Sequence, residues 1–124
     1  MNIALWVVAI LLAGAFAMAG VLKSTKPKEA IVEQGLAWAE DFSQPVIRFI
    51  GAMELLGAIG LVLPPLVGVA EILTPLAATG LAVTMALAAV THLRRKEPQM
   101  VVVNAVLLAL AAFVAWGRFG PYSF

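Results

Sequence analysis

Four long runs of apolar residues, joined by short polar connections, dominate the pattern of this sequence. A helix rises ~1.5 Å per residue, so about 20 apolar residues span the hydrocarbon core of a bilayer. The runs predict transmembrane helices at about residues 3–22, 46–63, 67–93 and 98–117. Helices joined by short connections pack antiparallel. The predicted fold is therefore all-α: a single membrane domain, residues 1–124, forming an antiparallel bundle of four transmembrane helices.

Prolines mark several of the predicted helix boundaries. Pro45 suits the first turn of the second helix, where its missing N–H leaves no hydrogen bond unmade. Pro64 and Pro65 are expected to end that helix. Two starts stay open for the third helix: near residue 66, with a kink at Pro75, or at Pro75 itself, with Thr74 as the N-cap.

The connection between the first two spans, residues 23–44, is too polar to cross a membrane. Apolar and charged residues mix within it in a helical pattern, which Gly35 weakens. This pattern predicts a short interfacial helix at about residues 28–42. Trp38 would then lie at headgroup depth, where Trp is enriched.

The first apolar run also resembles a signal peptide, because small residues near Ala17 and Ala19 suit a cleavage site. However, Met1 and Asn2 supply no basic segment ahead of it. The run is also longer than the about 7–15 apolar residues that a signal peptide uses. We therefore expect the segment to be retained as a transmembrane helix.

Composition supports the membrane interpretation. The chain is 63% hydrophobic and 12% charged, whereas about a quarter of the residues of a soluble domain are charged. A soluble domain of this length could not bury so much apolar surface, so the lipid bilayer is the expected partner. The absence of cysteine excludes disulfides and cysteine-ligated clusters within this chain. A net charge of +1 argues against nucleic-acid binding.

Basic residues are distributed unequally between the predicted connections, with only Arg118 on the side opposite the others. By the positive-inside rule, the connections rich in Lys and Arg face the cytoplasm. We therefore expect a multi-pass protein of the cell (inner) membrane with both termini outside the cytoplasm. The cytoplasmic basic residues would be Lys23, Lys26, Lys28, Arg48, Arg94, Arg95 and Lys96.

Glu54 is the most informative residue, because it lies in the middle of the second predicted helix. An ionised carboxylate at the bilayer centre costs at least about 2.5–3.5 kcal/mol, so Glu54 should face the bundle interior and be paired or protonated. Arg48 lies about 120° away around the same helix and does not pair with it. Lys23 and His92 are the candidate partners. Two roles stay open: interhelical hydrogen bonding that only stabilises the bundle, and proton handling or ligand binding.

A set of polar residues falls in the half of the bundle that contains the basic connections, which suggests a polar pocket open to the cytoplasm or inner leaflet. Residues at helix ends are often polar without having a function. Only Glu54 and Asn104 lie too far inside their helices for this explanation. One histidine without cysteine gives no metal site within one chain. Catalytic residues are unassigned, since no nucleophile has an adjacent base. The candidate pocket residues are Lys23, Arg48, Glu54, His92, Glu97 and Asn104.

The segment RFIGAMELLGAIGLVLP, residues 48–64, resembles the second-helix signature of the DoxX-like family. The segments AGVLK (19–23) and LTPLAATGL (73–81), His92 followed by Glu97, and Asn104 complete the resemblance. The family is named for a membrane subunit of a quinol-oxidising system, and some relatives are associated with redox functions, membrane chaperoning or cargo reception. The resemblance implies the same polar residue set and makes quinone a candidate cofactor.

Three functions stay open at this point. The first is a membrane subunit, not catalytic on its own, that binds a quinone or lipid around Glu54, with His92 or Asn104 bonding the headgroup. The second is an assembly or chaperone-type protein that docks other membrane proteins through faces of small residues such as Ala78, Ala82 and Ala86. The third is a small proton-coupled transporter. Self-association and a redox partner or another membrane-protein partner also stay open.

Overall fold

The computed structural model describes residues 2–33, 39–40, 42–120 and 122–123. In these residues it contains helices and no strands, and the four long helices are each apolar enough to cross a membrane. This confirms the predicted all-α bundle and the short helix between its first two spans. The elements are α1 (Asn2–Thr25), α2 (Lys28–Glu33), α3 (Gln44–Val67), α4 (Leu73–Arg94) and α5 (Pro98–Phe119).

The four long helices form a ring in the order α1, α3, α4, α5. The most extensive contacts join α1 to α3 and α4 to α5, and contacts of α3 with α4 and of α1 with α5 close the ring. Neighbouring helices run antiparallel. The bundle therefore has a Lys23 end, where α1 and α4 end and α3 and α5 begin, and an Arg118 end, where the opposite termini meet.

The second span is longer than the sequence predicts, because α3 continues through Pro64 and Pro65 to Val67. A proline lacks the N–H that would bond the carbonyl four residues earlier, so these two prolines free the carbonyls of Gly60 and Leu61. The hydroxyl of Thr74, a residue with 0% exposure, lies 2.9 Å from the Gly60 oxygen and 3.4 Å from the Leu61 oxygen. The single Thr74 O–H thus donates mainly to the Gly60 carbonyl and is shared with the Leu61 carbonyl, the two groups that the prolines leave without a helical N–H.

Helix α3 ends and α4 begins in ways that follow from local chemistry. Gly68, at φ 70°, adopts the left-handed conformation at which glycine commonly ends a helix. Helix α4 begins at Leu73, between the two starts that the sequence left open. Its N-cap is Ile72, so Thr74 is not the cap, and Pro75 lies in the first turn. A proline in that position breaks no helical hydrogen bond.

The core lies along the inner faces of all four long helices. Small residues let the helix backbones approach, as membrane helices require when lipid supplies no hydrophobic drive between them. At the crossing of α1 and α3, a Cβ on Gly20 would lie 2.7 Å from the Gly51 oxygen. The buried apolar cluster comprises Ala9, Leu12, Phe16, Ala58, Leu61, Ala78, Leu81, Met85, Ala111 and Val114.

The segment between α1 and α3 packs on the bundle at its Lys23 end. Ile31 of α2 is fully buried and belongs to a small cluster with Ala39 and Ile47. Gln44 attaches the segment to α3, since its Oε1 accepts a hydrogen bond of 2.5 Å from the Lys28 backbone N–H. Trp38, predicted at headgroup depth, lies outside the described residues, as do residues 34–37 and 41 of the predicted helix at 28–42.

The Arg118 end is closed by contacts of a buried guanidinium. Arg118, 3% exposed, donates from Nη1 to the Asn2 Oδ1 at 2.6 Å and to the Tyr122 carbonyl at 2.9 Å. Its guanidinium carbon also lies 5.9 Å from the centroid of the Trp6 ring. Beside it, the methyl groups of Leu5 occupy the space that a Cβ on Gly117 would need. Groups of this chain therefore accept hydrogen bonds from the guanidinium and fill the space beside it.

Candidate functional site

A cavity of about 530 Å³ lies between α1, α3, α4 and α5 in the half of the bundle nearest the Lys23 end. Most of its wall is apolar. Its polar lining consists of Lys23, Glu54, His92 and Asn104, together with Thr84 and Thr91. Both threonine hydroxyls donate to carbonyls of their own helix, so the first four residues supply its distinctive chemistry.

Lys23 and Glu54 form an ion pair across α1 and α3. The Lys23 Nζ lies 2.6 Å from the Glu54 Oε1, and the side chains are 14% and 2% exposed. The lysine side chain is therefore directed into the bundle, toward Glu54. This pairing offsets the cost of an isolated carboxylate at that depth. The sequence left Lys23 and His92 as candidate partners for Glu54, and the structure shows the contact with Lys23.

The crossing of α1 and α3 brings this pair together. Gly51 lies one turn before Glu54, and a Cβ placed on it would be 2.7 Å from the Cβ of Lys23 and 2.7 Å from the Ser24 nitrogen. Real Cβ atoms do not approach so closely. Glycine at position 51 therefore permits the α1 backbone to come near enough for Lys23 to reach the carboxylate.

His92 bonds to Glu97 at the turn between α4 and α5. The His92 Nδ1 lies 2.9 Å from the Glu97 Oε1, and the Arg95 Nε lies 3.5 Å from the same oxygen. The turn brings the Glu97 side chain close to His92. Lys96 adopts a left-handed φ of 58°, and the Glu97 N–H donates to the His92 carbonyl. The carboxylate thus orients the imidazole, whose ring lines the cavity.

Asn104 is buried in α5, with 6% exposure, and lines the cavity opposite Glu54 in the ring of helices. Its Nδ2 donates to the Met85 sulfur at 3.4 Å. Its Oδ1 is buried and has no hydrogen-bond partner among the residues that the structure describes. A buried carbonyl without a donor costs free energy, so this atom is notable.

The structure brings together four of the six predicted pocket residues. Lys23, Glu54, His92 and Asn104 line the cavity, and Glu97 lies behind His92, outside the lining. Arg48 is exposed and is not part of the lining. Its position on α3, about 120° from the inward Glu54, explains the difference.

Sequence reasoning missed most of the apolar lining of the cavity. Phenylalanines and methionines recur on its walls, and Met85 also fixes the Asn104 amide. Met85 lies seven residues before His92 and therefore on the same helix face. This spacing is the one signal in the sequence that places a missed residue at the cavity. The missed aromatic and sulfur-containing residues are Phe16, Phe42, Phe49, Met53, Met85 and Met100.

A groove of about 330 Å³ adjoins the cavity between α3 and α4. The two spaces share Met53 and Thr84. Exposed apolar residues border the groove, including Leu56 and Leu76 at 62% and 50% exposure. In a membrane this groove faces lipid chains. A molecule whose polar group occupies the cavity could therefore place an apolar chain in the groove.

The described residues contain no group of three or more His, Asp or Glu side chains that could hold a metal ion. The arrangement instead suits hydrogen bonding and ion pairing with an organic polar group. An ammonium, a carboxylate, an imidazole and an amide surround an otherwise apolar space. Such a composition is typical of sites that bind small apolar molecules through a few placed polar contacts.

One of the comparisons with known proteins identifies a family. No curated protein and no solved structure matches the chain. The model of the DoxX-like family matches residues 7–114, which include all four cavity residues with distinctive chemistry. Because this match covers most of the sequence, the chain belongs to the DoxX-like family.

Proposed function

We propose that this protein is a membrane subunit, not catalytic on its own, that binds a lipophilic small molecule, a quinone or a lipid, in the cavity around Glu54. The observation that carries the proposal is the cavity itself. Polar side chains from four helices meet there, at a depth where polar groups are expensive and usually functional. A bundle that needed only stability would fill this space with apolar side chains.

The dimensions of the site support a small ligand. Binding cavities for small molecules are usually about 300–1,000 Å³, and this one is about 530 Å³. The adjoining groove gives a route from the bilayer between α3 and α4. A ligand delivered by this route would be membrane-soluble, with a polar head and an apolar chain.

Each polar residue has a proposed role toward the head of the ligand. The Lys23 ammonium and Glu54 carboxylate would bond to it, with Glu54 able to accept a proton from it. His92, oriented by Glu97, would donate or accept a hydrogen bond. Any redox reaction would require a partner protein, because the chain has no cysteine to ligate an iron–sulfur cluster.

The orientation is also part of the proposal. The Lys23 end carries most of the basic residues, so we place it at the cytoplasmic face of the cell (inner) membrane. The cavity would then open toward the inner leaflet. Both termini would lie outside the cytoplasm.

The assembly role has less support from the packing. Ala78, a residue of the small-residue face on α4, is fully buried inside this chain, and Ala82 is partly buried against the same core. Ala86 is exposed. Much of the face that would dock a partner is therefore already used within the bundle.

The test is native mass spectrometry of the protein extracted gently from its own membrane, with Glu54→Gln compared to the wild type. Glu71→Gln is the matched control, because Glu71 lies in the α3–α4 connection at the Arg118 end. We expect a bound small molecule in the wild type and in Glu71→Gln, and its loss in Glu54→Gln. Identical spectra for all three, with only a protein partner retained, would favour the assembly role.

A further inference from the structure

The unpartnered oxygen of Asn104 gives information about the ligand, on the basis of the function proposed above. Asn104 lines the cavity, is 6% exposed, and has a buried Oδ1 with no hydrogen-bond partner among the described residues. Burying a carbonyl without a donor lowers stability, and native proteins usually avoid it. A ligand that donates a hydrogen bond would remove this defect.

Met85 determines which atom of the amide is left without a partner. A thioether sulfur only accepts hydrogen bonds, and Met85 is itself 4% exposed. It therefore selects the Asn104 NH₂ group, which lies 3.4 Å from the sulfur. Rotating the amide by 180° would place its oxygen against the sulfur and lose this bond. The atom of Asn104 that is left without a hydrogen-bond partner is therefore its oxygen, which accepts hydrogen bonds.

We propose that the cavity selects a lipophilic molecule whose polar head carries a hydroxyl group, which donates to the Asn104 Oδ1. Met85 is a positioning residue, since it acts on the ligand through the amide. A head with only carbonyl or ether oxygens would leave the Asn104 oxygen unpaired. The site therefore distinguishes a hydroxyl-bearing ligand from an otherwise similar one without a donor.

The apolar walls favour an aromatic hydroxyl. Met53, Met85 and Met100 lie around the same space, and thioether sulfurs make favourable contacts with aromatic rings. Phe16 and Phe49 also line it and can pack against a ring. The hydroxyl of a lipid glycerol offers the same donor on a flexible head, so the two sources need separate arms of one experiment.

The experiment uses matched pairs of probes with the full-length protein in detergent micelles. In one arm, a long-chain 4-alkylphenol is compared with its methyl ether, which has the same ring and chain but no donor. In the other arm, a monoacylglycerol is compared with its dimethyl ether. Binding of each probe is titrated with the wild type, Asn104→Leu and Met85→Leu.

For the wild type we expect the phenol to bind about five- to tenfold more tightly than its ether, the usual effect of one buried hydrogen bond. Asn104→Leu should bind both members of the pair equally. Met85→Leu leaves the amide free to rotate, so it should lower the preference for the phenol and improve binding of the ether. Discrimination within the glycerol pair alone would identify the lipid as the source of the hydroxyl.

Two results would overturn the inference and leave the proposed function standing: equal binding of donor and ether by the wild type in both arms, or a donor preference that persists in Asn104→Leu. If no probe of either pair binds the wild type, the inference is also overturned, and the native mass spectrometry described above decides the proposed function independently. Unfolding midpoints of the three proteins check that the variants fold.

Discussion

The two ends of the bundle bury their cations in different ways. At the Arg118 end, the guanidinium donates to Asn2 and to the Tyr122 carbonyl and lies near the Trp6 ring. At the Lys23 end, the ammonium is paired with Glu54 beside a cavity of about 530 Å³. One charged group is surrounded by groups of its own chain, and the other borders a space large enough for a ligand.

Under the function proposed above, this difference separates a structural end from a binding end. A fully surrounded charge has no contact to offer and mainly holds helices together. A charge beside a cavity, which is also lined by an amide whose oxygen has no donor among the described residues, can change partners when a ligand enters. Substitutions at the Arg118 end should therefore change stability alone, whereas substitutions at the Lys23 end should change binding.

The largest loss of stability is expected for Arg118→Leu. It removes two hydrogen bonds that a charged, buried group donates, at a cost of about 3 kcal/mol in the free energy of unfolding. Denaturant unfolding in micelles measures this loss. Binding of the ligand at the other end should be unchanged, and a loss of binding equal to that of Glu54→Gln would contradict the separation of the two ends.

A smaller loss is expected for Gly51→Ala at the crossing of α1 and α3. The new methyl group would meet the Lys23 Cβ and the Ser24 backbone, and such overpacking costs about 1–3 kcal/mol. It should also displace Lys23 from Glu54 and weaken ligand binding. Gly14→Ala is the control, because a Cβ on Gly14 meets nothing within 4 Å. Equal unfolding midpoints for the two variants would refute the close crossing.

The smallest loss is expected for Thr74→Val near the Arg118 end. Valine matches the shape of threonine but leaves the carbonyls freed by Pro64 and Pro65 without a donor, which costs about 1–2 kcal/mol. Thr79→Val is the control, since the Thr79 hydroxyl bonds the Pro75 carbonyl of its own helix on the exposed side. Thermal unfolding should separate the two variants. Ligand binding should stay as in the wild type.

The sequence predicts the fold well because the apolar runs are long and the cost of polar groups in lipid is high. The same cost identifies Glu54 and Asn104, which no helix end explains. The course of α3 through Pro64 and Pro65 was not predictable from local signals. It depends on Thr74 of the next helix, whose hydroxyl reaches the freed carbonyls only after α3 and α4 have packed.

The details of the site depend on tertiary contacts in the same way. The sequence left both Lys23 and His92 as partners of Glu54, and only the crossing at Gly51 favours Lys23. Arg48 shares the predicted half of the bundle but lies on the exposed side of α3. Depth along a helix can be counted from sequence, whereas the contact between two helices needs the packed structure.

The most direct test of the binding cavity fills it without changing a polar group. Ala88 lines the cavity on α4, and Ala88→Phe would occupy its space; Ala105→Phe adds the same ring at an exposed position of α5 outside the lining. Native mass spectrometry of both variants, each checked for a wild-type unfolding midpoint, measures the bound molecule. We predict that Ala88→Phe loses it and that Ala105→Phe keeps it. A molecule retained by Ala88→Phe, or absent from the wild type, would contradict the assignment of this cavity as the binding site.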